Sequence, residues 1–195
     1  MIDRRQILTL TLAASFSRAL IDHACAETSA SPGLSRITAY GFSFGALSGK
    51  DIRLSDFAGR PMLIVNTASL CGYTPQYAGL QQLWAEFQSQ GLVVIGVPSN
   101  DFGGQEPGST GDIDHTAHTQ YGVTFPIAAK TVVRGPDAHP FYRWAATERP
   151  KQVPAWNFHK YLLGRDGYIA DVFASAVEPT DTRVRTAIGR ALGAS

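Results

Sequence analysis

The chain has 195 residues, 44% of them hydrophobic and 17% charged, so it can bury one substantial core and fits a single domain with a short appendage. Its formal net charge of +1 gives no reason to expect nucleic acid or an anionic membrane as a partner. Its two cysteines, Cys25 and Cys71, exclude a disulfide framework, and no paired Cys and His spacing predicts a metal site.

The first 26 residues have the pattern of an export signal. The basic pair Arg4-Arg5 precedes an apolar stretch from Ile7 to Leu20, and the small residues Ala24-Cys25-Ala26 follow as a cleavage site. The paired arginines resemble a twin-arginine signal. An uncleaved membrane anchor is the alternative, but the apolar stretch is shorter than the ~20 residues that a comfortable bilayer span requires.

Cleavage after Ala26 predicts a protein exported to a bacterial periplasm. The mature chain would lose Cys25 and keep Cys71 as its one thiol. A single cysteine in an exported protein cannot form an internal disulfide, which favours a reactive role for it. Residues 27–37 are predicted to form a flexible linker, and residues 38–193 are predicted to form the folded domain.

The predicted elements follow from apolar periodicity and from turn residues. In chain order they are a hairpin turning at 48–51, a strand at 62–65, a helix from 75 to 91, a strand at 92–97, a helix at 110–121, a strand at 127–133, a helix at 139–147, two strands joined at 165–167 and a closing helix containing 184–191. We expect Thr74 to cap the first helix and Gly91 to end it. This order predicts an α/β fold in three layers, with a central mixed β-sheet flanked by helices.

Cys71 lies where a buried strand ends and a helix is about to begin. Unpaired N–H groups and the helix dipole at such a position favour the thiolate, which is the nucleophilic form of the side chain. A cysteine used as a small buried hydrophobic residue is the alternative. The neighbours Ser69, Gly72, Tyr73 and Thr74 are typical of a loop rather than a core, which favours reactivity.

The segments "NTASLCGYTPQYAGLQQL", "GVPSNDFGGQEPG", "YGVTFPI", "DAHPFYRW" and "WNFHKYLLGRDG" resemble the glutathione peroxidase family, in order and over about residues 38–193. The resemblance implies a thioredoxin-like fold and an active site made of a cysteine or selenocysteine with a Gln, a Trp and an Asn. On this chain those positions are Cys71, Gln105, Trp156 and Asn157. Taken singly, Trp156 fits a core aromatic residue and Gln105 a solvated loop residue.

The implied reaction is peroxide reduction. The Cys71 thiolate would attack the outer oxygen of hydrogen peroxide or of an organic hydroperoxide, which forms a sulfenic acid. Preorganised donors lower the barrier to cleaving the O–O bond, and the Gln105, Trp156 and Asn157 side chains all carry neutral N–H donors. No prosthetic cofactor is expected, and the expected reductant is glutathione or another external thiol, such as thioredoxin.

The chain departs from the family pattern at four places, the first of which is Ser99, where many members have a cysteine. Asp101 stands where the family commonly has Gln, and we expect its carboxylate to face solvent. His118 lies near the position of the resolving cysteine of two-cysteine members, and no cysteine follows Cys71. The segment between Val133 and Trp156 lacks the insertion typical of tetrameric relatives, which predicts a monomer with an open site.

Two other functions remain open on this fold. A general thiol–disulfide oxidoreductase usually requires a Cys-x-x-Cys motif, whereas no second cysteine follows Cys71. An exported, non-catalytic binding module would not need the four residues of the predicted site together. The sequence therefore favours a thiol peroxidase.

Overall fold

The computed structural model describes residues 37–193. The predicted signal at 1–26 and nearly all of the predicted linker at 27–37 lie outside this range. The described range contains six strands, β1 (Ser43–Gly45), β2 (Asp51–Arg53), β3 (Met62–Thr67), β4 (Val93–Pro98), β5 (Lys160–Leu163) and β6 (Ile169–Phe173), and four α-helices, α1 (Gln76–Phe87), α2 (Thr110–Asp114), α3 (Pro140–Glu148) and α4 (Thr182–Leu192).

The strands form a small hairpin and one central sheet. β1 and β2 pair antiparallel, as the turn at 48–51 predicts. The central sheet has the order β4-β3-β5-β6. β3 runs parallel to β4, whereas β5 runs antiparallel to both β3 and β6. The sheet is therefore mixed, which confirms the predicted α/β architecture.

The two faces of the sheet are both buried, because successive side chains of a strand point to opposite faces. On one face, Met62 and Ile64 of β3 pack with α3 and the β1–β2 hairpin. On the other face, Leu63 and Val65 pack with α1, α4 and the helical segment that starts at Thr110. This arrangement explains why β3 has an unbroken apolar sequence at 62–65, with every residue of the strand buried.

The predicted helices are confirmed, with corrections at their ends. α1 begins at Gln76 and is followed by a 3₁₀ turn, Gln88–Gln90, that ends at Gly91 with φ 112°. The helix predicted at 110–121 consists of α2, which Ser109 caps, continued by a π-helical turn, His115–Gln120. Within residues 37–193, no helix is both long enough and apolar enough to cross a bilayer.

The strand predicted at 127–133 is wrong. Only isolated bridges occur there, from Ala128 to Ala46 and from Ile127 to Gly96. The N–H groups of this segment donate to different parts of the chain: Ala128 to the Gly96 carbonyl (2.8 Å), Ala129 to Gly45 (2.7 Å) and Thr131 to Pro98 (2.8 Å). A strand needs successive partners on one neighbouring strand, which this segment does not have.

Candidate active site

The four predicted site residues come from three loops at one edge of the central sheet. Cys71 follows β3, Gln105 follows β4, and the pair Trp156-Asn157 precedes β5. β5 is antiparallel to β3, and Lys160 at its start pairs with Val65 near the end of β3. The sheet topology therefore brings these loops to the same edge, although up to 86 residues separate them in the chain, from 71 to 157.

The Cys71 loop is held by its own threonine. The Cys71 N–H donates to Thr74 Oγ1 (3.1 Å), and the Thr74 hydroxyl lies 2.7 Å from the Cys71 carbonyl and 2.9 Å from that of Ala68. The prediction that Thr74 caps α1 is wrong, because these contacts occupy its hydroxyl. The Tyr73 N–H points to Cys71 Sγ at 3.4 Å, and the Cys71 residue is 8% exposed.

The Gln105 loop is joined to the Cys71 loop through the backbone. The Leu70 N–H donates to the Gln105 carbonyl (3.0 Å). The Glu106 N–H donates to Asn100 Oδ1 (2.8 Å), which fixes the same loop from the other side. Burial raises the pKa of Glu106, against the opposing effect of Ser69.

Asn157 contacts Gln105 directly. Its Nδ2 donates to Gln105 Oε1 at 3.0 Å and lies 3.5 Å from the Phe102 carbonyl. Asn157 is fully buried, whereas Gln105 is half-buried. Because Gln105 accepts through its oxygen, its amide N–H groups remain as donors.

Trp156 lies at the surface beside these residues. It is 39% exposed, and its ring packs against Phe102 with the centroids 6.0 Å apart. Gly103 has φ 67°, and a Cβ atom there would lie 3.3 Å from the Trp156 ring, so this loop approaches the indole closely. In the described part of the chain the indole N–H has no acceptor, which leaves it as a second unused donor.

The four predicted site residues are not all connected by hydrogen bonds. Asn157 and Gln105 share a hydrogen bond, and the Cys71 and Gln105 loops share a backbone bond through Leu70. The Cys71 sulfur has no hydrogen bond to Gln105, Trp156 or Asn157 within residues 37–193; its donor is the Tyr73 N–H. The arrangement places a thiol that is only 8% exposed next to loops that carry unused amide and indole donors.

Residues 39–146 match the sequence model of a family described as glutathione peroxidase. The chain belongs to the glutathione peroxidase family. The hydroperoxy fatty acid reductase gpx1 of Synechocystis sp. is 44% identical over 153 residues, which cover 74% of this chain and 90% of that protein. A glutathione peroxidase of Lactococcus lactis is 38% identical over 145 residues, which cover 73% of this chain and 92% of the relative.

Solved structures agree with the fold of this member of the family. The crystal structure of Trgpx in apo form has a TM-score of 0.67 at 33% sequence identity, and the match covers 82% of this chain and 97% of that chain. A thiol:disulfide interchange protein of the thioredoxin family from Chlorobium tepidum has a TM-score of 0.62 at 15% identity, covering 83% and 99%. The second likeness concerns the fold alone. Together they confirm the thioredoxin-like fold.

Family membership identifies the activity class. The protein is a thiol peroxidase, an oxidoreductase that acts on peroxides. The readings as a general thiol–disulfide oxidoreductase or as a non-catalytic module are not favoured. Among residues 37–193, no group of three or more His, Cys, Asp or Glu side chains is arranged to hold a metal ion.

Two departures from the family pattern have defined environments in this protein. The expectation that Asp101 faces solvent is wrong: its Oδ2 accepts from the N–H groups of Val133 (2.6 Å) and Arg134 (3.2 Å). His118 lies on the π-helical turn, exposed, with Nδ1 2.8 Å from Asp114 Oδ1. Asp101 therefore fixes a distant loop, and His118 interacts within its own helical segment.

Asn66 is the supporting residue that sequence reasoning missed most clearly. It lies on β3 and is 1% exposed. Its Nδ2 donates to the Trp156 carbonyl (3.1 Å), and its Oδ1 accepts from the His159 N–H (3.1 Å). One side chain thus bridges both ends of the segment that carries Asn157. The sequence feature that could have indicated this role is a polar residue near the end of an otherwise apolar strand.

The turn after Asn157 is strained and buried. Phe158 has φ 61°, a left-handed value that is rare for a residue with a side chain. Its N–H donates to the Asn66 carbonyl (2.6 Å), and its carbonyl accepts from Lys160 Nζ (2.6 Å). Lys160 also donates to Gln76 Oε1 (2.7 Å), and burial lowers its pKa to about 7. These fixed contacts keep the backbone of Asn157 in one conformation.

Replacing Asn66 with alanine should lower stability and slow the oxidation of Cys71. The change removes two hydrogen bonds and leaves the His159 N–H and the Trp156 carbonyl without their partner, which typically costs about 1–3 kcal/mol for a buried group. Thermal unfolding and the rate of peroxide reaction with the reduced enzyme measure both effects.

Gln81→Ala is the matched control for Asn66→Ala. Gln81 also makes two hydrogen bonds, both with Thr124 and both 2.9 Å long, but on the exposed face of α1. We expect its oxidation rate to match that of the unmodified enzyme. Equal oxidation rates for the two variants would contradict a positioning role for Asn66.

Proposed function

We propose that Cys71 is the peroxidatic nucleophile of this thiol peroxidase, with Gln105, Trp156 and Asn157 as neutral donors around the sulfur and the peroxide. The observation that carries the proposal is the 3.0 Å hydrogen bond between Asn157 and Gln105. It orients the Gln105 amide on a loop that is bonded to the Cys71 loop, so that the N–H groups of Gln105 remain available to a substrate.

The proposed oxidation begins with the Cys71 thiolate. Its sulfur attacks the outer oxygen of a peroxide ROOH, so that an S–O bond forms while the O–O bond breaks. The leaving oxygen takes up the proton that the thiol released and departs as water or an alcohol. The N–H donors of Gln105 and Trp156 stabilise the negative charge that develops on this oxygen, and they need no reorganisation to do so.

We further propose that an external thiol returns the sulfenic acid at Cys71 to the thiol. One thiol forms a mixed disulfide with Cys71 and releases water, and a second thiol attacks the mixed disulfide and frees Cys71. In total, two thiols are oxidised to one disulfide for each peroxide reduced. Membership of the family favours glutathione as the reductant. Export would favour a protein thiol instead, because glutathione does not set the redox potential of the periplasm.

This proposal predicts a sequence of trapped species at Cys71. One equivalent of peroxide added to the mature protein should yield a residue that a sulfenic-acid reagent labels. Adding glutathione before the reagent should replace that label with a glutathione adduct, detected by peptide mass spectrometry. The same measurement with thioredoxin and its reductase compares the two donors. In protein purified from its native host, a disulfide between Cys71 and Cys25 would mean that the signal is retained, and it would contradict the single-cysteine cycle.

Organic hydroperoxides belong among the proposed substrates. Two relatives from Synechocystis sp., 44% and 41% identical, carry the name hydroperoxy fatty acid reductase. The exposed Trp156, which adjoins Asn157 in the chain, supports the same proposal, since a bulky peroxide could approach its indole from the surface. Comparing the rates of hydrogen peroxide, tert-butyl hydroperoxide and a fatty acid hydroperoxide tests this breadth.

We also propose that the protein is exported to the periplasm and acts there as a monomer. The support is in the sequence: the paired arginines, the short apolar stretch, the small residues at 24–26 and the short segment between 133 and 156. Intact mass of the protein from its native host should correspond to a chain that starts near Glu27. Recovery of the full-length chain from the cytosol would contradict the localisation, and a dimer mass in light scattering would contradict the monomer.

A further inference from the structure

A cavity of about 430 Å³ lies between α3, the loop at 133–138 and the segment that precedes Trp156. Most of its lining is apolar: Val133, Ala138, Ala146, Val153, Pro154 and Ala155. Among residues 37–193, the charged residues that line it are Arg134 and Arg143, both exposed. Its volume is within the range of small-molecule sites. The cavity thus combines an apolar wall with two cationic groups.

The two guanidinium groups are not neutralised by acidic side chains. Within residues 37–193, neither Arg134 nor Arg143 has a carboxylate within salt-bridge distance. Arg143 Nη1 donates to the Ala138 carbonyl at 3.0 Å, and a guanidinium carries five N–H donors, so donors remain. Arg134 lies over the Phe102 ring, 5.4 Å from its centroid. Both side chains can therefore bind an anion.

The third polar lining residue is Tyr142, which is 3% exposed. Its hydroxyl is buried and has no hydrogen-bond partner among the described residues. Burial raises the pKa of Tyr142 well above its ordinary value, so the hydroxyl stays protonated and can donate. A buried hydroxyl without a partner is costly, and a bound acceptor would remove that cost.

We propose that this cavity binds the carboxylate end of a long-chain fatty acid hydroperoxide, with Arg134, Arg143 and Tyr142 as its donors. The inference rests on the proposed function, for which it names a substrate subsite. The apolar lining would hold the first methylenes of the chain. Ala155 lines the cavity and precedes Trp156 directly, so the remainder of the chain can run toward the proposed site of peroxide reduction.

The lining favours a fatty acid over glutathione. Glutathione carries an ammonium group besides its carboxylates, and no acidic residue from the described part of the chain lines the cavity to pair with it. A polar tripeptide would also leave its amide groups against Val133, Val153 and Pro154, where burying them without hydrogen bonds is unfavourable. A fatty acid has one anionic end and an apolar chain, which matches both parts of the lining.

The test compares linoleic acid hydroperoxide with its methyl ester, which lacks the charge, and uses hydrogen peroxide as the reference for general damage. We expect the unmodified enzyme to react faster with the acid than with the ester. Arg134→Gln and Arg143→Gln should each lower the acid-to-ester ratio of rate constants about tenfold, because a hydrogen bond to a charged group is worth about that factor or more. Arg190→Gln on α4, exposed and away from the cavity, should keep the ratio.

A second measurement does not depend on peroxide chemistry. Calorimetric titration with oleate should show binding that Tyr142→Phe and Arg143→Gln weaken. Tyr142→Phe should not lower the melting temperature, because the lost hydroxyl has no hydrogen-bond partner within residues 37–193. If oleate binds and the substitutions weaken its binding, the cavity assignment is supported even when the enzyme turns over no peroxide. Absence of peroxide turnover would refute only the proposed function.

Two results would overturn the cavity assignment while peroxide reduction stands. The first is equal reactivity of acid and ester together with no oleate binding. The second is that the arginine variants raise the KM for glutathione but leave the acid-to-ester ratio unchanged, which would make the cavity a site for the reductant.

Discussion

Replacing Cys71 with serine is expected to abolish peroxide reduction. A serine hydroxyl is a weak nucleophile at neutral pH without a base to activate it, and it forms no counterpart of the sulfenic acid. The fold should persist, because the contacts that hold this loop to Thr74 use the backbone N–H and carbonyl of Cys71. Peroxide consumption with a thiol donor and thermal unfolding measure the two effects.

Cys25→Ser in the full-length chain is the matched control, because Cys25 is the other cysteine of the sequence. That variant should keep full activity. Neither variant nor the unmodified enzyme should reduce insulin disulfides at an appreciable rate, since the chain lacks a Cys-x-x-Cys motif. Substantial peroxidase activity in Cys71→Ser would mean that another group is the nucleophile.

Asn157→Ala is expected to slow the oxidation of Cys71 by up to about 10²–10³-fold, because it frees the Gln105 amide to move and the loss of one preorganised transition-state donor has a cost of that size. The substitution removes the bond that orients Gln105. It also empties a fully buried position, so some loss of stability accompanies it. Mixing reduced enzyme with peroxide in the absence of any thiol isolates this step.

Gln105→Ala tests the same contact from its other side. Because Gln105 and Asn157 share a hydrogen bond, we expect the effects of the two substitutions on the oxidation rate to be non-additive in the double variant. Gln82→Ala, an exposed amide on α1, controls for loss of a glutamine as such. If these substitutions slowed only the later reduction of the sulfenic acid by thiol, the proposed role of Gln105 and Asn157 in the oxidation of Cys71 would be wrong.

The elements of the central sheet could be predicted because each depends on a local pattern. β3 begins with an apolar run at 62–65 and β4 is apolar throughout, and both strands are fully buried. α3 begins one residue after His139, where the sequence predicts a helix. The same pattern gave a wrong prediction at 127–133. Apolar residues there indicate burial, but burial alone does not specify a strand. The N–H groups of this segment donate to several different parts of the chain.

The sequence by itself determined the family, the lone downstream thiol at Cys71 and the four candidate residues, because motifs with fixed spacing carry that information. Only the tertiary structure shows which groups position these residues through hydrogen bonds. Asn66 reaches Trp156 across 90 residues, and Thr74 closes the Cys71 loop instead of capping a helix. The cavity beside Tyr142 is likewise visible only in three dimensions. Periodicity indicates which face of an element is buried, whereas a hydrogen-bond partner or an unfilled volume depends on how distant segments pack.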